Sequence, residues 1–165
     1  MRRLAAVIVI VVVAAVLLSH LNSSSPNGSP ANGWYEARPV YGMIGSGFFV
    51  RVASRRPVRF ADGSGGVLMQ VAFRNQGRTR FGTRPGDFQV LQPSGGILQP
   101  DFLAPACPRW QAVEVASGTL SRPVPLCFAQ TDPAQAITLL WQPDVAPGPL
   151  GTASRIELPA QPVPA

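Results

Sequence analysis

The chain has 165 residues, enough for one domain with a single core. Only 13% of the residues are charged, while 16 are Gly and 18 are Pro. That load excludes a helix bundle, since each would cost about 1 to 3 kcal/mol inside a helix, and it points to an all-β domain with many turns. The formal charge is +6 and every one of the 14 cations is Arg.

Met1-Arg2-Arg3 precedes an apolar run from Leu4 to Leu18, continued by Ser19-His20-Leu21. Two arginines before such a run are a positive-inside signal, which sends the following chain out of the cytoplasm. As a helix the stretch from Leu4 to Leu21 would be about 27 Å long, close to the hydrocarbon thickness of a bilayer. A cleaved signal peptide would need small residues before its cleavage site. Cutting after Ser19 places Leu17 at −3, cutting after Ser25 places Pro26 next, and no Cys follows the run to carry a lipid. Residues 1–21 are therefore read as an uncleaved transmembrane signal anchor, with a fully secreted protein as the alternative. Residues 22–33 hold no apolar side chain larger than Ala or Pro and read as a flexible linker.

The domain is expected over residues 34–158. Short apolar runs with period-2 alternation follow one another at 47–53, 67–75, 87–91, 97–98, 111–116, 124–129, 136–142 and 155–158. In the clearest, Val67, Met69, Val71 and Phe73 share one face, while Gln70 and Arg74 share the other. Asp62-Gly-Ser-Gly-Gly66 reads as a turn, and Pro123 and Pro125 place their run at a sheet edge or on a bulge. Seven or eight such strands without a helical period predict an antiparallel two-sheet sandwich. The Pro-rich residues 159–165 read as a disordered tail.

Cys107 and Cys127 are the only cysteines, and both follow the apolar run. An even count in an oxidising compartment reads as one disulfide, stabilising by roughly 3 kcal/mol in the chain-entropy picture. Two thiolates alone do not make a metal site, the only His is His20 in the anchor, and Cys-x-x-Cys is absent. No metal or other cofactor is expected. Beyond His20 the chain has neither His nor Lys, so the usual bases for a Ser or Cys nucleophile are missing. The acids Glu36, Asp62, Asp87, Asp101, Glu114, Asp132, Asp144 and Glu157 are scattered singly. A glycosidase-like carboxylate pair would have to assemble in space, within about 10 Å. The expectation is a protein that is not an enzyme.

Arg51, Arg55, Arg56, Arg59, Arg74, Arg78, Arg80 and Arg84 crowd into one segment that holds a single acid, Asp62. They form a candidate basic patch facing the membrane surface, an anionic envelope polymer or an acidic envelope protein. The bland alternative is a set of solvated side chains pointing several ways. Nucleic acid is excluded by compartment. Trp34, Trp110 and Trp141 are read as core residues.

Val67 to Gly77 forms a strand closing on Asn-x-Gly. Asp87-Phe, Ser94-Gly-Gly, Ser117-Gly-Thr-Leu, Pro125-Leu-Cys-Phe and Ile137-Thr-Leu-Leu-Trp-Gln-Pro follow in order. Over residues 47–143 this succession is similar to an immunoglobulin-like domain family of bacterial surface lipoproteins and signal-anchored proteins, which includes relatives of a mycobacterial secreted immunogenic protein. The resemblance implies structural roles for Asn75 (strand end), Phe88 (strand start), Gly118 (turn) and Phe128 (in the strand that follows that turn), and no catalytic residues. Paired cysteines in such relatives agree with Cys107–Cys127. The lipid-bearing Cys is missing, and Ser117-Gly-Thr stands where Pro-Gly-Glu is usual. The expected function is a non-enzymatic, membrane-anchored, extracytoplasmic interaction module. The alternative is a secreted sandwich binding a small apolar ligand between its sheets.

Overall fold

The computed structural model describes residues 33–37, 46–110, 112–143 and 153–161. The expected anchor (1–21), the linker up to residue 32 and residues 162–165 lie outside the described residues. Among those described, no helix is long and apolar enough to cross a membrane.

The described chain is all-β apart from one 3-10 turn, Pro85–Asp87. In chain order the strands are β1 (Tyr35–Glu36), β2 (Phe48–Arg59), β3 (Gly65–Asn75), β4 (Phe81–Thr83), β5 (Phe88–Leu91), β6 (Ile97–Leu98), β7 (Val113–Val115), β8 (Val124–Ala129), β9 (Ile137–Trp141) and β10 (Ser154–Leu158). They form two four-stranded sheets, ordered β1-β2-β3-β8 and β10-β9-β5-β6, and a β4-β7 ribbon. All pairings are antiparallel.

Each of the eight anticipated runs forms a strand. β1, β4 and the 3-10 turn are additions, too short to show a period. β2 runs six residues beyond its expected end at Ala53. A register shift between Val52 and Ser54 breaks its alternation there, which ends the apolar pattern without ending the pairing to β3. Pro57 is tolerated because, among the described residues, β1 pairs only with Phe49 and Val50, so the far half of β2 is itself an edge there. β8, which carries Pro125, closes the other edge of that sheet, as its prolines require.

Alternation decides which side chains meet. Phe48 and Val50 of β2, Met69, Val71 and Phe73 of β3, and Leu126 and Phe128 of β8 are fully buried on the inner face. They share one cluster with Phe88 and Val90 of β5, Leu139 and Trp141 of β9, and Ile156 of β10. Each such side chain stabilises by about 1.5 to 3 kcal/mol. At one end the space between the sheets is filled by rings: Trp141 lies 5.3 Å from Phe48, 6.0 Å from Phe73 and 6.1 Å from Phe88, centre to centre. Trp110 closes the group at 6.3 Å from Phe73 and 6.0 Å from Phe88.

The four positions singled out by resemblance take the places expected of them. Phe88 opens β5, Phe128 is buried in β8, and Gly118 makes its turn at φ +73°. Asn75 ends β3 as a buried hub. Its Oδ1 accepts from Gly77 N at 2.9 Å, and its Nδ2 donates to Thr79 O at 2.8 Å and Val115 O at 2.9 Å. Gly47 is needed beside it, because a Cβ there would stand 2.8 Å from Gly77 N.

The start of the expected tail is tied down. Gln161 N donates to Pro133 O at 2.9 Å, Gln161 Nε2 donates to Arg55 O at 3.0 Å, and Arg55 Nη2 donates to Pro159 O.

Candidate interaction surface

The expected disulfide joins Cys107, in the loop after Asp101, to Cys127 on β8, with Cα atoms 5.5 Å apart. It lies on the outer face of the first sheet. Leu68 of β3 packs there with both cysteines, against Val58, Phe60 and Ala104. Phe60 reaches this position over Gly66, where a Cβ would come within 2.5 Å of its ring. Asp101 N donates to Cys127 O at 2.8 Å, and Asp101 Oδ1 accepts from Leu103 N and Ala104 N, so the loop is fastened at several points. Disulfides of this kind persist in oxidising, extracytoplasmic compartments.

The eight clustered arginines divide between surroundings. Arg51, Arg56 and Arg74 fall on the outer face of the first sheet, opposite Ala72, Leu68 and Phe49 respectively. Arg55 pairs with Met69 and Arg59 with Gly65, which puts both on the other face near the end of the sheet. Burial holds the Arg55 guanidinium below its ordinary pKa. Arg80 pairs with Glu114 at 3.1 Å across the β4-β7 ribbon, both side chains exposed, and Arg84 meets Asp87 at 3.5 Å. Arg78 is exposed in the loop after Asn75.

One grouping emerges from this division. Arg51 lies 4.8 Å from the Trp34 ring centre and Arg74 lies 4.9 Å from the same centre. Arg74 also covers Phe49 at 4.7 Å. Trp34 therefore packs on the outer face, a correction to its reading as a core residue, whereas Trp110 and Trp141 are buried as expected. The reason is parity: Glu36 pairs with Phe49, and Phe49 with Arg74, so that row faces outward and Trp34 precedes it by two residues. Among the described residues neither arginine of this group has a carboxylate partner, and Arg74 Nε is covered without an acceptor. The Glu36 carboxylate instead accepts from Gly47 N at 2.8 Å. Leu120 bridges to Arg74 from the opposite side and is 59% exposed.

A second polar group lies behind β4. Thr83 Oγ1 donates to Asp87 Oδ2 at 2.9 Å and accepts from Trp141 Nε1 at 3.4 Å, and Arg84 N donates to Asp87 Oδ2 at 2.9 Å. Asp87 and Gln89 line a cleft of about 110 Å³ with Leu140 and Gln142. That volume is well below the roughly 300 Å³ at which pockets for small organic ligands begin. Asp87 acts as a cap: it turns the chain through Pro85–Asp87 into β5.

No family model matches the chain, and no curated protein matches it. Among solved structures, the candidate lipoprotein YcdA of Bacillus subtilis is similar, with a TM-score of 0.59 at 11% identity. That match covers 79% of this chain and 39% of YcdA, so this chain spans well under half the length of that protein. The YjhA protein of the same organism matches 67% of this chain and 83% of its own at 15% identity, with a TM-score of 0.48. At such identities the YcdA likeness concerns the fold alone.

Proposed function

We propose that this chain is a non-enzymatic, membrane-anchored, extracytoplasmic module with an immunoglobulin-like sandwich, which makes contacts at the bacterial cell envelope. The observation that carries the reading is the group of Trp34, Arg51 and Arg74. It is an outward-facing pair of cations on one aromatic ring, without carboxylate partners among the described residues. Structural arginines of a small domain usually end in ion pairs or in water, as Arg80 does; stacking two on one half-buried ring prepares a surface for an anion.

Three further points support it. The Cys107–Cys127 disulfide suits an oxidising compartment. The segment 4–21 behind Arg2 and Arg3 suits an anchor that leaves the domain outside. Packed rings at one end and aliphatic side chains along the rest occupy the described core between the sheets, which favours a contact surface over a cavity for an apolar ligand.

Fractionation of bacteria expressing the full chain tests the reading. The protein is expected in the membrane pellet after alkaline extraction, with the domain cleaved by protease added to spheroplasts and no free thiol. A protease-protected domain with free thiols would overturn it. Release with a new N-terminus near Asn22 would replace anchoring by secretion and leave the fold unchanged.

A further inference from the structure

We infer that the Trp34 end of the outer face lies against the headgroups of an anionic bilayer, with Arg51 and Arg74 directed to lipid phosphates and Trp34 and Leu120 at headgroup depth. This rests on the anchored reading above and names the partner of that surface.

Four observations converge on it. The first is uncompensated charge. Arg74 is half-buried under Trp34 and against Phe49, its Nε has no acceptor, and neither it nor Arg51 meets a carboxylate among the described residues. A guanidinium partly removed from water without a counterion favours an anion, and its planar fork matches phosphate oxygens. The second is the mixture of side chains. Trp and Arg with an exposed Leu is what a membrane–water interface selects: the cation sits at the phosphates, the indole among the headgroups and the aliphatic tip slightly deeper. Leu120 flanks Arg74 on one side as Phe49 does on the other, so apolar and cationic groups interleave within a single surface. A soluble anionic polymer would match the cations and leave Leu120 without a role.

The third observation is position. Trp34 stands at the start of the described domain, and only residues 22–33 separate it from the segment ending at Leu21. A Gly/Ser-rich stretch of that length would have a typical span of about 20 Å, which under the anchored reading would keep this end of the domain close to the membrane surface. Tethering raises the effective concentration of the surface, so contacts too weak to recruit a free protein are enough to orient an anchored one. The fourth is the contrast with the far end of the same face, where among the described residues no ring lies against the Arg56 guanidinium and the disulfide loop covers the sheet.

Depth-dependent fluorescence quenching in the full chain tests this. The chain is reconstituted into vesicles of phosphatidylglycerol and phosphatidylcholine, or of phosphatidylcholine alone, with lipids brominated near the headgroup. The Trp34 signal is taken as the difference between the wild-type chain and Trp34→Phe, since Trp110 and Trp141 are buried. Vesicle flotation, measured in parallel, reports anchoring separately. Quenching of Trp34 in anionic vesicles is expected, falling to less than half in Arg51→Gln/Arg74→Gln and retained in Arg56→Gln/Arg59→Gln, which removes the same charge elsewhere. Flotation with no Trp34 quenching would overturn the headgroup contact and leave the anchor standing. Equal loss in both double variants would also overturn it, by reducing the effect to net charge. If the chain is found without its N-terminal segment, anchoring fails. The mature protein is then mixed with the same vesicles, where partitioning should drop roughly fivefold for each arginine removed from the Trp34 group; no partitioning at all would sink the contact as well. Protection of Trp34 by an envelope protein instead of lipid would overturn the choice of partner.

Discussion

The outer face of the first sheet has two ends built from the same strands and finished in opposite ways. At the hairpin end, Leu68 is sealed beneath the disulfide loop, with Phe60 packed over Gly66. At the Trp34 end no loop closes over the sheet among the described residues. Two arginines and an indole lie there instead, with an exposed leucine beside them. Both ends sit on the same continuous inner-face core, so the second is not open for want of stability elsewhere. A small sheet that needs covering can be covered by its own loop, and a face left with unpaired cations is better suited to meeting something outside the chain.

The sharpest way to break the comparison is to unseal the closed end. Replacing both cysteines, Cys107→Ser with Cys127→Ser, is expected to cost about 3 kcal/mol, as closing a loop of this size should contribute. Urea denaturation would read the loss. Hydrogen exchange should rise in residues 101–110 and on β8 while the Trp34 end keeps its protection. A uniform rise across the domain would mean that the two ends are not separable units.

The next effect lies below the open end, where Asn75 supports it from inside. Asn75→Ala leaves the buried Val115 O and the carbonyl of the exposed Thr79 without their donor, and the part-buried Gly77 N without its acceptor. The cost is expected near 2 kcal/mol, since each unsatisfied buried group is worth about 1 to 3 and local rearrangement recovers part. Thermal unfolding would show it. A loss under about 0.5 kcal/mol would mean that water replaces the amide and that the hub is dispensable.

Much of this contrast can be read in the sequence at one end and little at the other. The alternation from Val67 to Phe73 gives β3 and its inner face directly, and the even count of cysteines gives the bridge that seals the hairpin end. The open end is harder because its parts are local in space and scattered in sequence. Arg51 and Arg74 become diagonal neighbours only through the β2-β3 register, in which Arg51 faces Ala72 and Phe49 faces Arg74. The bulge at Ala53 then shifts parity, so the eight arginines, which look like one cluster along the chain, point to different faces. β1 is two residues long and carries no period, and without it nothing fixes which side of the sheet Trp34 joins. An aromatic residue beside a strand is more often core than surface, and that prior misplaces Trp34. The useful signal was its spacing from Glu36, which keeps it on the outward parity.

Changing the open end itself should barely touch stability. Arg51→Gln with Arg74→Gln takes the charge out of three partly exposed cation–ring contacts, each worth about 0.5 to 1 kcal/mol at such sites, while the Gln side chains keep part of the packing on the rings. It also relieves the repulsion of two cations sharing one ring. The net change in unfolding free energy is expected below about 1 kcal/mol, against about 3 for the disulfide at the other end. A larger loss would make these arginines part of the architecture and weaken their assignment to a contact surface.

The smallest effect sits at the tip of the sealed end and depends on pH. Asp62 Oδ1 accepts from Ser64 Oγ at 2.6 Å and from Ser64 N at 2.9 Å, closing the β2-β3 turn. The hydroxyl bond first, and the backbone bond second, hold the Asp62 carboxyl below the usual aspartate range. A group whose folded pKa is depressed contributes in its ionised form, so the turn keeps this support at neutral pH. The support is lost only as pH falls through the lowered folded value. The Ser64 amide resonance should therefore titrate with a midpoint below that of an ordinary aspartate, and Asp62→Asn should abolish the transition. A midpoint at or above the ordinary value would mean that the turn is not held by the carboxylate. Because the carboxyl is exposed, unfolding at neutral pH should hardly distinguish the variant from the parent chain, which separates this local fastening from the disulfide that seals the same end.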